Sequence, residues 1–336
     1  MTFDRRSGGA TARRRHQGQR QEADPSPGGE RGLKEGRVQH FGRELTYESN
    51  SASNTPVGTV RDGETFLIDT ELASGNWLHG PDDQWDPSKT CANNPCGVVA
   101  VEGAEPGDVV AVRIDEIRPD PFGYMAIGTT DGLYPSTMRR LFGEWLSHTV
   151  GISDGRIHLT SDLSVPLRPL IGTLGTTVPV GAVTNLLGGW YGGNLDVQEV
   201  TVGATVRLPV AVPGALVNIG DVHARQSDGE LSAVEMRSTL ALTITVEHPA
   251  WPIAGPRIED ATHLSAVALD DDVRAASEMA FEGLLRWLRD AYPVTEQEAY
   301  LLLGACGEAR ATRLLPPGNF TYVWKIAREY LPSPRP

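Results

Sequence analysis

Cysteine is scarce in this 336-residue chain. Its three cysteines, Cys91, Cys96 and Cys306, are too few and too scattered for a disulfide framework or a Cys-x-x-Cys zinc site. Long hydrophobic runs are missing too. Nothing approaches a membrane span, and the basic start is not followed by the apolar segment of a secretory signal. A reducing cytoplasm with no membrane partner is the expected setting. Positive charge is in short supply, with 30 Lys and Arg against 43 Asp and Glu. Eight of those 30 fall in the first 36 residues, so the remainder is more acidic still. Phosphate contacts need a basic face, which argues against nucleic-acid binding as the main task.

Residues 1–36 hold almost no large apolar side chains and cannot offset the entropy of ordering, which predicts a disordered basic tail. A β-rich body is expected over residues 37–255. Val206, Leu208, Val210 and Val212 alternate, as do Leu240, Leu242, Ile244 and Val246, with turn signals about every ten residues. That spacing points to a sandwich or barrel. A loop-rich insertion is expected at about 119–180. It would hold a short helix near 137–146 and a Gly/Pro-punctuated stretch at 166–179 that is neither helix nor strand. The period then changes. Val273, Ala276, Ala280, Leu284, Trp287 and Leu288 recur at three and four, and Thr295 with Glu298 forms a capping box that opens a second helix. Residues 308–330 return as strand. The fold class is therefore mainly β, with an α+β part over 256–336.

Chemistry concentrates between Gly192 and Glu235. Three polar pairs two residues apart, Asn194/Asp196, Asp221/His223 and Asp228/Glu230, are separated by apolar alternation. In an extended strand such pairs face one way, so neighbouring strands would gather carboxylates, an imidazole and an amide in one pocket. Each pair also has a plainer explanation: an Asx-turn, a hairpin cap with a core His, and an ordinary Asp-Gly turn. The loop at 75–95, rich in Trp, His, Asp and Asn, is of the kind that covers a site.

Several segments resemble the acetamidase/formamidase family: NPCGVVAVEGAEPGD (94–108), PLIGTLGTT (169–177), GGNLD (192–196), LPVAVPGALVNIGDVHARQSDGE (208–230) and AVE (233–235). Leu72, Leu195 and Ser227 depart from the family pattern. The resemblance implies a mainly β fold with an α+β end and hydrolysis of short-chain amides to carboxylate and ammonia. It also implies a homo-oligomer and a metal near the site.

Amide hydrolysis needs an activated water, a polarised carbonyl and a proton for the leaving nitrogen. Asp196, Asp221 and His223 would supply three ligands to a divalent metal, with zinc expected and calcium or manganese as alternatives, and a fourth position open. Glu230 is the candidate general base, with Asp228 and Asn194 beside it. Gly172 and Gly175 could bring backbone N–H groups to an oxyanion. Outside candidates are Glu235, otherwise a buried partner of Arg237; His79, in the Trp-rich loop; and Cys96, a nucleophile in other amidases but otherwise a small buried side chain. The substrate expected is a linear or small cyclic amide. A non-catalytic β protein that binds an ion or polar metabolite is the alternative.

Overall fold

Alternating apolar side chains draw much of the described chain into strands, nearly all of which share one large sheet. The computed structural model describes residues 38–86, 88, 93–129, 132–144, 146–249, 252–315 and 319–335. The tail expected at 1–36 and Cys91 lie outside the described residues.

The strands that position the site begin with β1 (Glu64–Thr70), β2 (Cys96–Val101) and β3 (Val109–Ile127). Helix α1 (Pro135–Phe142) and β4 (Leu146–Ser153) follow, then β5 (Leu170–Gly175), β6 (Gly192–Asn194) and β7 (Thr205–Pro209). The long strands β8 (Val217–Gln226) and β9 (Ala233–Glu247) lead to β10 (Arg257–Glu259) and β11 (His263–Asp270). The C-terminal part contributes α2 (Val273–Ala291), α3 (Glu296–Cys306), β12 (Glu308–Arg313) and β13 (Phe320–Ala327).

β8 is the hub. It pairs antiparallel with β5, with β2 and with the start of β9. β9 pairs along its length with β3 and further on with β1. The sheet runs across residue 255, because β10 joins β7 on one side and β11 on the other. The main core lies among these strands, where Ile114, Ile171, Val206, Leu208, Ile219, Val222, Met236 and Leu242 are buried.

Helix α2 starts where the Asp272 carboxylate accepts from the Arg274 and Ala275 amides. It buries Ala276, Ala280, Leu284, Trp287 and Leu288, the last three in a second core with Leu264, Leu303 and Ile326. Val273, expected on that face, is exposed. The Thr295/Glu298 capping box forms as expected.

The sheet extends further than the sequence pattern indicates. β3 continues past Arg118 to Ile127, where it pairs with β4, so much of the stretch expected to be loop-rich is strand. Residues 166–179, expected to be irregular, contain β5, and all six of its residues are buried. A strand covered on both faces shows no alternation to read. α1 begins two residues before the helix expected near 137–146 and ends at Gly143, whose φ of 79° ordinary side chains adopt at a cost.

Candidate active site

β5, β6 and β8 bring the first residues together. Thr173 in β5 lies opposite Asn194 in β6, and immediately afterwards the Leu195 and Asp196 amides both donate to the Gly172 carbonyl (2.8 and 3.1 Å). Asp196 turns its backbone into the left-handed region (φ 51°), as does Asp221 within β8 (φ 57°). Both carboxylates thereby press on Gly172. A β-carbon there would lie 2.6 Å from Asp221 Oδ2 and 2.8 Å from Asp196 Oδ1, so glycine is a spatial requirement.

His223 lies between the acids. Its Nε2 is 3.1 Å from Asp221 Oδ1 and 3.3 Å from Glu235 Oε1 on β9. Its Nδ1 is 2.8 Å from Gln226 Oε1, which assigns the Nδ1 proton to that bond and turns Nε2 toward the carboxylates. Asp221 Oδ2 accepts from Asn94 Nδ2 (2.7 Å) and Thr173 Oγ1 (3.1 Å). Asn194 Oδ1 accepts from Asn94 Nδ2 (3.1 Å) and lies 3.0 Å from Thr173 Oγ1, whose single proton it shares with Asp221, so Asn194 belongs to the scaffold that fixes Asp221.

Two members come from further along the chain. Glu230 enters from the turn after β8, and Arg313 from the end of β12. Arg313 Nε lies 3.1 Å from both Asp196 Oδ2 and Glu230 Oε2. Arg313 was not foreseen. It is separated in sequence from every motif, and no local pattern marks it. Asn94, inside the 94–108 segment, also went unnominated.

The third pair does not act as a pair. Residues 227–230 form a turn in which Gly229 (φ 81°) and Glu230 (φ 50°) leave the extended region, so i and i+2 no longer share a face. Glu230 turns inward. Asp228 turns outward, where it meets Arg310 Nε at 3.0 Å and is about half exposed. Glu235 contacts His223, while Arg237 instead bonds Glu71 (2.5 Å), Asn76 (2.9 Å) and the Leu78 carbonyl. Arg237 thus fastens the loop that carries Leu72 and Trp77. Trp77 and Trp85 pack at 5.1 and 5.5 Å on Tyr124, which lies opposite Glu235 in the β3–β9 register. The Trp-rich loop therefore covers this flank of the cluster. His79 is exposed on it, and its amide donates to Asp83.

Gly175 stands apart from the acids. A β-carbon there would strike the Gly193 nitrogen at 2.3 Å, so close backbone packing explains it. The Cys96 thiol donates to the Asn94 carbonyl (3.2 Å), and burial, with the nearby Asp221 charge, pushes its pKa well up. A thiolate is disfavoured at that position.

Burial and mutual repulsion govern the cluster's protons. Burial, followed by the Asp221 charge, raises Asp196 to about 6 against the pull of His223 and Arg313. Burial likewise raises Glu235 to about 7, with His223 opposing. Burial and the Asp196 charge push Glu230 well up. For His223, burial opposes the charged form, but Glu235 and Asp221 together outweigh it and raise its pKa. Both Asp196 oxygens, Glu230 Oε2 and Glu235 Oε2 are buried without a hydrogen-bond partner. Asp196 Oδ2 and Glu230 Oε2 already have the Arg313 charge beside them as an ion pair, so it is Asp196 Oδ1 and Glu235 Oε2 that call for a cation, water or a proton. One ligand atom each from Asp196, Asp221 and His223 lie within 4.8 Å of one another, a donor set that fits a divalent metal.

Residues 171–259, which include every member of the cluster except Asn94 and Arg313, match the model of the acetamidase/formamidase family. Over that stretch the chain is similar to that family. A Schizosaccharomyces pombe protein named as a formamidase is 28% identical over 244 residues, 55% of this chain and 60% of its own. The acetamidase of Mycolicibacterium smegmatis is 27% identical over 246 residues, 54% of this chain and 60% of its own. The chain thus matches about 60% of the length of these curated relatives. The crystal structure of an acetamidase from Bacillus halodurans superposes with a TM-score of 0.80 at 26% identity, covering 87% of this chain and 98% of that one. The mainly β architecture matches that of this acetamidase structure.

Proposed function

We propose that this protein hydrolyses a short-chain or small cyclic amide, water supplying the carboxylate oxygen and the amide nitrogen leaving as ammonia. The observation that supports this function is the buried group of Asp196, Asp221, His223, Glu230 and Glu235, with unpaired oxygens and a single guanidinium. The acetamidase and formamidase names of its relatives point the same way.

Asp196, Asp221 and His223 would hold a divalent ion; mixed carboxylate and imidazole donors suit zinc, with calcium or manganese as alternatives. Such an ion lowers the pKa of a bound water to about 7 and polarises a carbonyl. Gln226 keeps the His223 ring turned so that Nε2 is presented. Asn94, Thr173 and Asn194 hold Asp221 in place.

Glu230 is the proposed general base. It takes a proton from the attacking water at its carboxylate and passes it to the departing nitrogen. Its raised pKa lets it keep the proton between those two events, and Arg313 beside it keeps the ionised form accessible. Gly172 leaves the space beside the acids into which the amide oxygen can come. A homo-oligomeric assembly and a cytoplasmic setting belong to the same proposal.

The test is ammonia release from a panel of short amides and small lactams, on protein of known metal content, before and after chelation. Turnover should fall with chelation and return with zinc. Glu230→Gln should keep the fold and the metal but lose about 100-fold or more in kcat. Silence across the panel by metal-loaded protein, or an unimpaired Glu230→Gln enzyme, would overturn the assignment.

A further inference from the structure

We propose that a cavity walled by β10, β11 and α2 binds a small organic monocarboxylate with an apolar body, and that Arg257 holds the carboxylate. No residue of the acid cluster lines this cavity, so the site is a second one and does not rest on amide hydrolysis.

The charges on its walls do not cancel. Arg257, Arg286 and Arg289 line it together with Glu282 and Asp290. Each acid already holds an arginine: Glu282 Oε2 accepts from Arg286 Nη2 at 2.8 Å, and Asp290 Oδ1 accepts from Arg289 Nε at 2.8 Å. Arg257 is left over. Among the described residues no hydrogen bond or ion pair reaches its guanidinium, although Asp290 and Glu247 act on it from a distance. The strand register adds to the imbalance. Arg257 stands directly opposite Arg207 in the β7–β10 pair, and like charges so placed repel. Arg207 is balanced by Glu247 (3.0 Å) and Glu259 (2.7 Å). Arg257 has instead the Trp287 ring, 5.3 Å below its guanidinium carbon, and burial draws its pKa down to about 10.

A guanidinium that rests its face on an indole keeps its N–H edge for a planar, two-oxygen acceptor, which is the shape of a carboxylate. One surplus positive charge suits a monoanion, and Glu282 and Asp290 on the same walls disfavour a more highly charged one. The remaining lining sets the body of the ligand. Val267 and Leu269 of β11, Met279 of α2 and Trp190 give apolar wall, and Trp190 and Met279 are exposed, which puts them at the mouth. The volume of about 540 Å³ falls in the usual range for small-molecule pockets, about 300–1,000 Å³. A phenyl ring or short alkyl chain fits between these walls with its carboxylate on Arg257.

The experiment is isothermal titration calorimetry of benzoate into the purified full chain at pH 7, with acetophenone as the uncharged isostere and inorganic phosphate as the competing anion. Benzoate should bind saturably, and both comparison compounds should bind at least about tenfold more weakly. Arg257→Met keeps the packing of the stem and removes the charge; it should weaken benzoate about tenfold or more. Met279→Glu, at an exposed position where folding is not at stake, places a negative charge at the mouth and should weaken benzoate about threefold or more. Met279→Glu decides the matter if Arg257→Met does not fold. Absent benzoate binding overturns the proposal. So does binding that the folded variants leave unchanged, which would place the carboxylate elsewhere, as at Arg313. Phosphate binding as tight as benzoate would mark a general anion site, and acetophenone binding as tight would mark an apolar one; either overturns the carboxylate assignment.

Discussion

Replacing Arg313 with Met should strongly destabilise the protein, and acid should partly relieve the damage. Arg313 is the only guanidinium recorded against the cluster among the described residues, within 3.1 Å of Asp196 Oδ2 and Glu230 Oε2 and 9% exposed. At that separation and an effective dielectric near 20, each attraction is about 5 kcal/mol before desolvation. Removing one partner of such a buried pair costs about 3–5 kcal/mol, because the remaining charges stay buried and uncompensated. At about 2–4 °C per kcal/mol, the melting temperature should drop by roughly 10 °C. The pH dependence separates electrostatics from lost packing. Asp196 titrates near 6 with the guanidinium present, and Glu230 is raised as well; without it both rise further. Protonated carboxyls need no cation, so the deficit against wild type should be largest at pH 8 and shrink as pH falls through 6 toward 5. Denaturant unfolding of both proteins at pH 5 and pH 8 measures it. A loss below about 1 kcal/mol, or a deficit equal at both pH values, would refute the electrostatic account.

Chelated protein should gain more melting temperature from zinc at pH 8 than at pH 5, because Asp196 (about 6) and Glu235 (about 7) hold protons at the lower pH and release them above it. Equal gains would argue against a site built on these acids. Gly172→Ala should destabilise by about 1–3 kcal/mol or abolish metal binding, since the added carbon would lie 2.6 Å from Asp221 Oδ2 and 2.7 Å from the Asp221 carbonyl. Wild-type stability with full metal content in that variant would show that the strand moves aside. Cys96 should resist iodoacetamide in the native state, and turnover should survive treatment, because the thiol is buried with a raised pKa. Mass spectrometry on the treated enzyme checks this; rapid Cys96 alkylation with matching loss of activity would favour a cysteine mechanism.

What the sequence made legible follows from how far each feature depends on local pattern. The alternation of Val206 and Leu208 in β7 and the α2 stripe could be read directly, since one face of each is apolar and the other is not, although β7 ends at Pro209 and leaves Val210 and Val212 outside the strand. β5 could not, because all six of its residues are buried and nothing alternates. Asp221, His223 and Asp196 converge as expected, but partly by a route the pattern did not contain: two of the three have left-handed backbones, so bends as well as strand pleating aim them. The same local bending separates Asp228 from Glu230. Glu235 was weighed between membership of the site and a buried partnership with an arginine, and only the β8–β9 register decides it, placing His223 opposite Glu235. Arg313 required knowing how the C-terminal strands return to the body, which is long-range information that no window along the chain holds.

That return has a consequence for biosynthesis. The four acids and the histidine all lie between residues 196 and 235, whereas the balancing guanidinium is at 313. A ribosome adding about 5–20 residues per second needs roughly 4–16 seconds to make the intervening segment. Throughout that interval the nascent chain carries these acids without the guanidinium that stands beside Asp196 and Glu230 in the finished fold. The N-terminal strands therefore either delay their final packing or borrow protons or metal ions from the cell until the last strands arrive.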